Sequence, residues 1–288
     1  MSRLTRGEKI FSVFNYIILS LLIIATIYPF YFVLIASVSS SLAVKMSGGM
    51  MLLPDKVSFH VYRLVLGNKN ILIGYGNTLF YVLIGTFINV FLTIFGGYAL
   101  SRKWLMGRNV FMFLITFTMF FSGGLIPSYL LISNLGMINS RWVLIIPNAI
   151  AVWNIIITRT FLSSIPESLE ESAKMDGAND YTVMFRIMMP LSMPIISVNT
   201  LFYAVGHWNS WFGALIYLKD RNLYPLQLFL REILFQAQVQ EMSDFVQDPL
   251  AENIKYATII VSTLPILCVY PFLQKYFAKG VMVGAIKG

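Results

Sequence analysis

"ESLEESAKMDGANDYTVMFRIMMPLSMPII", residues Glu167–Ile196, gathers Glu167, Glu170, Glu171, Lys174, Asp176, Asp180 and Arg186 into twenty positions. Its surroundings are of a different kind. Of the 288 residues, 57% are hydrophobic and 12% charged, and the mean hydropathy is +0.73. A single soluble core of this size leaves much of its surface in water and could not hide this apolar content, which includes 23 Phe. The chain reads as a membrane protein, and the charged stretch as a segment outside the bilayer.

A membrane-spanning helix needs about 20 mostly apolar residues. Six stretches qualify: 12–38, 72–100, 109–132, 142–163, 191–217 and 256–278. They predict an all-α protein with six transmembrane helices, organised as one domain over 1–288. Arg3, Arg6 and Lys9 ahead of the run Tyr16–Val38 look superficially like a secretory signal. That run exceeds the ~7 to 15 residues of a signal core and has no small-x-small cleavage site, so it is read as a retained first span. Lys and Arg near the span ends set orientation. Arg102, Lys103, Arg108, Arg159, Lys174, Arg186, Lys275, Lys279 and Lys287 fall on the same side as the N-terminal cations. Both termini are therefore expected in the cytoplasm, with 39–71 and 218–255 as extracellular segments. The net charge of +8 belongs to these basic flanks; no stretch interleaves cations with exposed aromatics on a polar background, which argues against nucleic acid as a partner. Cys268, the single cysteine, lies in an apolar run and supports neither a disulfide framework nor a metal cluster.

This topology puts 164–190 in the cytoplasm. Pro166 suits the first turn of a helix, where its missing N–H is harmless, and Glu167, Glu170 and Glu171 complement the positive helix N-terminus. Leu169, Ala173 and Met175 are expected to supply its apolar contacts. Gly177 is a natural left-handed terminator. A second helix is predicted with Asn179 as its cap and Tyr181, Met184, Phe185 and Met188 at helical spacing; Pro190 and Pro194 mark the entry to the fifth span. The result is a helix-turn-helix with acidic and exposed-aromatic character. An ordinary polar connector would normally be shorter.

Glu171-Ser172-Ala173, three residues, Gly177, nine residues and Ile187-x-Met189-Pro190 together resemble the EAA loop of binding-protein-dependent ABC importer permeases, EAA-x3-G-x9-I-x-LP. Ser172 for Ala and Met189 for Leu are the two departures. Further stretches are similar to the carbohydrate-uptake permeases, the maltose-type smaller subunit: "YPFYFVLIASVSS" from Tyr28, "GNTLFYVLIGT" from Gly76, "IPSYLLISNLGMINSRWVLIIPNAI" from Ile126, "WNSWFGALIYL" from Trp208 and "KGVMVGAIKG" from Lys279. The closing segment is most similar to the branch that handles oligosaccharides and polysaccharide fragments. The resemblance implies a type I ABC importer permease fold in a bacterial cytoplasmic membrane. Its implied partners are a second permease subunit, two copies of a cytoplasmic ATPase that bind ATP and Mg, and an extracellular solute-binding protein; this chain itself would hold no cofactor. It further implies that Glu170, Glu171, Ser172, Ala173, Asp176, Gly177, Ala178, Ile187 and Pro190 form the surface that couples to the ATPase, with Lys287 in the tail as a secondary contact.

A sugar pathway needs polar groups where unpaired polar groups are costly. Asn77, Asn199, Tyr203, His207, Trp208, Asn209 and Trp211 are the candidates, since aromatic faces stack on sugar rings while amides and imidazole bond hydroxyls. Each has an alternative. Trp208 and Trp211 could belong to an interfacial aromatic belt, and His207, Asn77 and Asn199 could serve helix packing.

No G-x-x-x-x-G-K-[ST], H-E-x-x-H or G-x-S-x-G occurs, and His60 and His207 are far apart. The chain is expected to be non-catalytic and to draw its energy from another subunit. The competing readings are a membrane-embedded enzyme acting on lipid or glycan, and an exporter or flippase subunit.

Overall fold

The structure is a computed structural model that describes residues 5–242 and 253–268. All regular elements among the described residues are helical, with no strand. The described chain divides into two units, 5–69 with 230–242 and 253–264, and 70–229 with 265–268.

The first unit is built on α1 (Arg6–Val38), opened by a capping box in which Thr5 and Glu8 each accept the other's backbone N–H. None of its most apolar window is buried, so this helix presents Ile, Leu and Phe side chains on every side, as a helix bathed in hydrocarbon does. Its C-terminal end is the packed part. Ile35 and Ala36 join Val44 of α2 (Ser41–Met46) and Met51, and the Tyr31 hydroxyl donates to the Leu52 carbonyl at 2.7 Å. Phe32 meets Tyr256 of α13 (Asn253–Cys268) edge to face at 5.7 Å. Between these, α3 (His60–Gly67) buries Val61 and Val65.

The second unit starts on α4 (Lys69–Ser101), whose helix passes through a π turn at Tyr81–Gly85. Then follow α5 (Arg108–Phe120), α6 (Leu125–Asn134), α7 (Val152–Ser163), α8 (Glu167–Met175), α9 (Asp180–Leu191), α10 (Met193–Trp208) and α11 (Phe212–Tyr217). α12 (Leu226–Met242) begins in this unit and ends in the other.

Three of the expected spans depart from single helices. Residues 109–132 break at Phe121–Gly124, with α5 and α6 at 115°; Gly124 takes φ +82 there, a left-handed conformation open to glycine. Within 142–163 only α7 is α-helical, and its 12 residues cover about 18 Å. The preceding 3-10 turn Arg141–Leu144 and the bends through Pro147 replace a continuous helix. Within 191–217, α10 and α11 are separated by Asn209–Trp211. By length and apolarity, two described helices can cross a membrane, or four if each bent pair is one span. The expected span 256–278 is described only to Cys268, and the tail with Lys287 lies outside the described residues.

Asn77 anchors one end of α4 and is 4% exposed. Its Nδ2 donates to the carbonyls of Asn222 (2.6 Å) and Tyr224 (3.1 Å), and its Oδ1 accepts from Arg141 Nη2 at 3.1 Å. The Tyr81 hydroxyl donates to Leu223 O at 2.8 Å, and Thr78 Oγ1 accepts from Leu226 N at 2.9 Å. Leucine at position 77 leaves two carbonyls and a guanidinium without their partner. Asn77→Leu is therefore expected to cost about 2 to 4 kcal/mol. The check is thermal unfolding of the purified protein in detergent; an unchanged midpoint would remove Asn77 from this structural role.

Candidate functional site

The charged stretch folds as predicted in its turns. Gly177 has φ +84, and Ala178 N–H reaches Ala173 O at 2.9 Å while Gly177 N–H reaches Lys174 O at 3.0 Å, the two bonds of a Schellman cap. Asn179 Oδ1 accepts from Thr182 N at 2.8 Å and caps α9. Pro166 sits one step earlier than expected. With ψ at 131° it is the extended residue ahead of α8, not part of its first turn.

The larger correction concerns which face of α8 is buried. Leu169 and Met175 are exposed and only Ala173 packs inward, whereas the Glu170 carboxylate is buried, at 8% side-chain exposure. It can be, because cations and a phenol surround it. Arg102 Nη1 lies 3.4 Å from Oε2, and Tyr98 Oη donates to Oε1 at 3.1 Å. Lys174 Nζ lies 3.2 Å from Oε1 and 3.1 Å from Asp180 Oδ1. Its hydrogen bonds to Asp180 and then Glu170 raise the Lys174 pKa above the usual value, so it is charged at any physiological pH. In α9, Val183, Met184 and Met188 are buried with Ile94, Leu162 and Ile195, while Tyr181 and Phe185 face outward. The π turn Val183–Met188 precedes Pro190, whose ring supplies no N–H to the preceding turn. Glu171, Ser172, Asp176, Gly177 and Pro190 are exposed; Ala173, Ala178 and Ile187 are half-buried. The loop is thus a fixed base with an exposed crest of Leu169, Met175, Tyr181 and Phe185.

Elsewhere in this unit a cavity of about 670 Å³ opens between α4, α7, α10 and the irregular backbone before α7. Irregular backbone within a membrane-spanning region is tolerated where it lines such a cavity. Asn89, Asn148, Asn154, Tyr203, His207, Asn209 and Ser210 supply the polar lining and Trp153 and Phe202 the aromatic faces, with no Lys, Arg, Asp or Glu in the lining. Tyr203 Oη is 2.7 Å from Thr93 Oγ1 and accepts from Ala151 N at 3.0 Å. Asn89 Nδ2 is 3.4 Å from both Asn148 O and His207 Nε2.

Of the seven residues proposed from sequence for a sugar pathway, Tyr203, His207 and Asn209 line this cavity. Asn77, Asn199, Trp208 and Trp211 are not in its lining. Asn199 is fully buried, its Nδ2 donating to Thr158 Oγ1 at 2.7 Å. Trp208 is 7% exposed and meets Tyr75 edge to face. Trp211 is half-buried beside Phe212. Asn89 and Asn154 were missed, although each is an amide in the middle of an apolar run, the same signal that singled out Asn77 and Asn199. Among the described residues no group of three or more His, Cys, Asp or Glu could hold a metal ion.

Among the described residues, an all-helical architecture with a charged helix-turn-helix on a buried base and, elsewhere in the same unit, a cavity lined without Lys, Arg, Asp or Glu has the organisation of a permease. Residues 94–283 match the family described as "Binding-protein-dependent transport system inner membrane component", and the chain belongs to that family. It is similar to the "Polygalacturonan/rhamnogalacturonan transport system permease protein YtcP" of Bacillus subtilis (strain 168), at 41% identity over 98% of this chain and 99% of that one. It is 38% identical to "Protein LplC" of the same organism, over 99% and 97%. Among solved structures, one titled "Crystal structure of a bacterial ABC transporter involved in the import of the acidic polysaccharide alginate" superposes with a TM-score of 0.87 at 33% identity, covering 96% of this chain and 100% of that one. The fold is therefore that of a type I ABC importer permease. The chain is a non-catalytic transport subunit, and the membrane-enzyme and exporter readings are set aside.

Proposed function

We propose that this chain, as one permease domain over 1–288, is half of the translocation path of an ATP-driven importer of oligosaccharides, including fragments of acidic polysaccharides. It has six spans and both termini in the cytoplasm of a bacterium, with 39–71 and 218–255 outside. A second permease subunit completes the path, a solute-binding protein delivers the sugar, and two ATPase subunits bind ATP and Mg. The loop 164–190 docks on one ATPase, and Lys287 adds a secondary contact.

The observation that carries the docking role is the exposed crest: Met175 is 88% and Tyr181 76% exposed, on helices whose opposite faces are fully anchored. Large apolar side chains held out from a rigid base are what a partner's groove takes up. For the sugar, the uncharged cavity offers amides, a phenol and an imidazole for hydroxyls, and Trp153 and Phe202 for ring faces. This chain would grip hydroxyls and ring faces and leave uronate carboxylates to water or to the second permease. The test is co-purification from membranes of the expressed complex. Met175→Asp with Tyr181→Asp should leave both permeases together but lose at least tenfold of the ATPase, as expected when hot-spot contacts of about 2 kcal/mol are removed. Full retention of the ATPase would refute the docking role.

A further inference from the structure

The loop's base presents an arrangement that docking alone does not require. Arg102 closes α4 and is buried, at 3% side-chain exposure, beside Glu170 of α8. A buried ion pair is expensive to desolvate, and well-packed apolar residues usually hold two helices at least as well. Here the pair joins specific elements. The Arg102 guanidinium lies over the Tyr98 ring at 4.9 Å, and its Nη2 lies 3.4 Å from the Leu162 carbonyl of α7 and 3.8 Å from Met188 Sδ of α9. One cation thus binds α4, α7, α8 and α9 together, and Glu170 ties it to the helix that carries Glu171.

The route towards the cavity differs between the elements leaving the loop. Through the peptide chain, α9 passes into α10 across Ser192, where the two helices bend by 76°. Through Arg102, the loop meets the end of α4, which continues without a break to Asn89 in the cavity lining, about 20 Å away. It also meets α7, which carries Trp153 and Asn154. The covalent route thus turns through 76°, whereas the route through Arg102 enters a helix that runs unbroken to the cavity lining.

We propose that the Arg102–Glu170 pair is the clamp through which movement of the docking loop is passed to α4 and α7, and so to the cavity, with both residues acting as positioning residues. This rests on the coupling role proposed for the loop. The clamp predicts that α8 and α4 move as one body during the ATP cycle, and that they separate when the pair is broken.

The experiment uses the whole complex reconstituted in lipid, with spin labels at Ser168→Cys on α8 and Phe87→Cys on α4 in a Cys268→Ser background. All three positions are exposed. With Arg102 and Glu170 intact, the label distance should be the same with and without ATP. In Glu170→Gln it should shift on ATP binding, and sugar imported per ATP hydrolysed, measured with oligogalacturonides, should fall about tenfold, in the range of ordinary coupling free energies. Arg102→Lys keeps the charge without the guanidinium fork; should Glu170→Gln not assemble, Arg102→Lys decides by the same criteria. A native distance that changes with ATP, or a distance that stays constant in the variant, overturns the clamp. Retention of the ATPase by Met175→Asp with Tyr181→Asp would instead overturn the docking reading on which it rests, so the two failures are separable.

Discussion

Gly177→Val is expected to abolish coupled uptake while leaving the chain inserted in the membrane at its normal level. The φ of +84 at this residue is open to glycine and forbidding to a β-branched side chain. Beyond its chain neighbours nothing lies within 4 Å of the position a Cβ would take, so the effect comes from the backbone. Valine must either strain the turn by about 2 kcal/mol or relax it. Relaxation breaks the bonds from Gly177 N and Ala178 N that close α8, and re-aims α9 relative to Glu171. Core packing in the spans is untouched. Immunoblotting of membranes should therefore show normal amounts of protein, while uptake of labelled sugar falls to background. Glu171→Lys, which reverses an exposed charge on α8, should give the same pattern without any backbone strain. Normal uptake in both variants would sink the assignment of this loop as the ATPase contact.

Gly85→Val is expected to act at the cavity instead, giving an importer that still holds its ATPase but moves sugar at least tenfold more slowly. Gly85 ends the π turn of α4, and a Cβ there would sit against the His207 ring, 2.7 Å from Cε1 and 3.0 Å from Cδ2. The ring is 7% exposed and planar, so it has little room to yield. Overpacking of this kind typically costs about 1 to 3 kcal/mol and shifts neighbouring side chains. The shift falls on His207 and Asn89, both in the cavity lining. Gly76→Ala is the matched control on the same helix: nothing lies within 4 Å of its Cβ, and import should be unchanged. Kinetics of import by both variants, with ATPase retention measured alongside, checks the pair. Equal import by Gly85→Val and the native chain would detach the cavity from the sugar pathway.

The turns of the charged loop were legible because turn chemistry is local. A residue that must take positive φ, followed by an amide that caps the next helix, leaves a signature readable at Gly177 and Asn179 without knowledge of any neighbour. The spacing from Glu171 to Pro190 was legible only through its resemblance to the EAA loop of known permeases. Burial was a different matter. The sequence makes Leu169 and Met175 the apolar contacts of α8, and the family resemblance places Glu170 on the surface that couples to the ATPase. The structure reverses this, because Arg102 and Tyr98, at the end of a helix that closes 69 residues before Glu170, make Glu170 the better residue to bury. Helix-length arithmetic failed at 142–163 for a related reason: an apolar run supplies hydrophobicity, but whether it stays helical depends on Pro147 and on a cavity that accepts irregular backbone.

What the sequence by itself determined was the class of protein and the chemistry of its exposed loop. Hydropathy acts residue by residue, and the loop's turns depend on the conformational limits of single residues. What only the tertiary structure decided was which polar groups meet. Asn77 bonds the carbonyls of Asn222 and Tyr224 and Asn199 bonds Thr158, while Asn89, Asn148 and Asn154 come together with Tyr203 and His207 around a cavity. An intramembrane amide must find a partner in either case, and its position along the chain does not say whether that partner is another helix or a ligand.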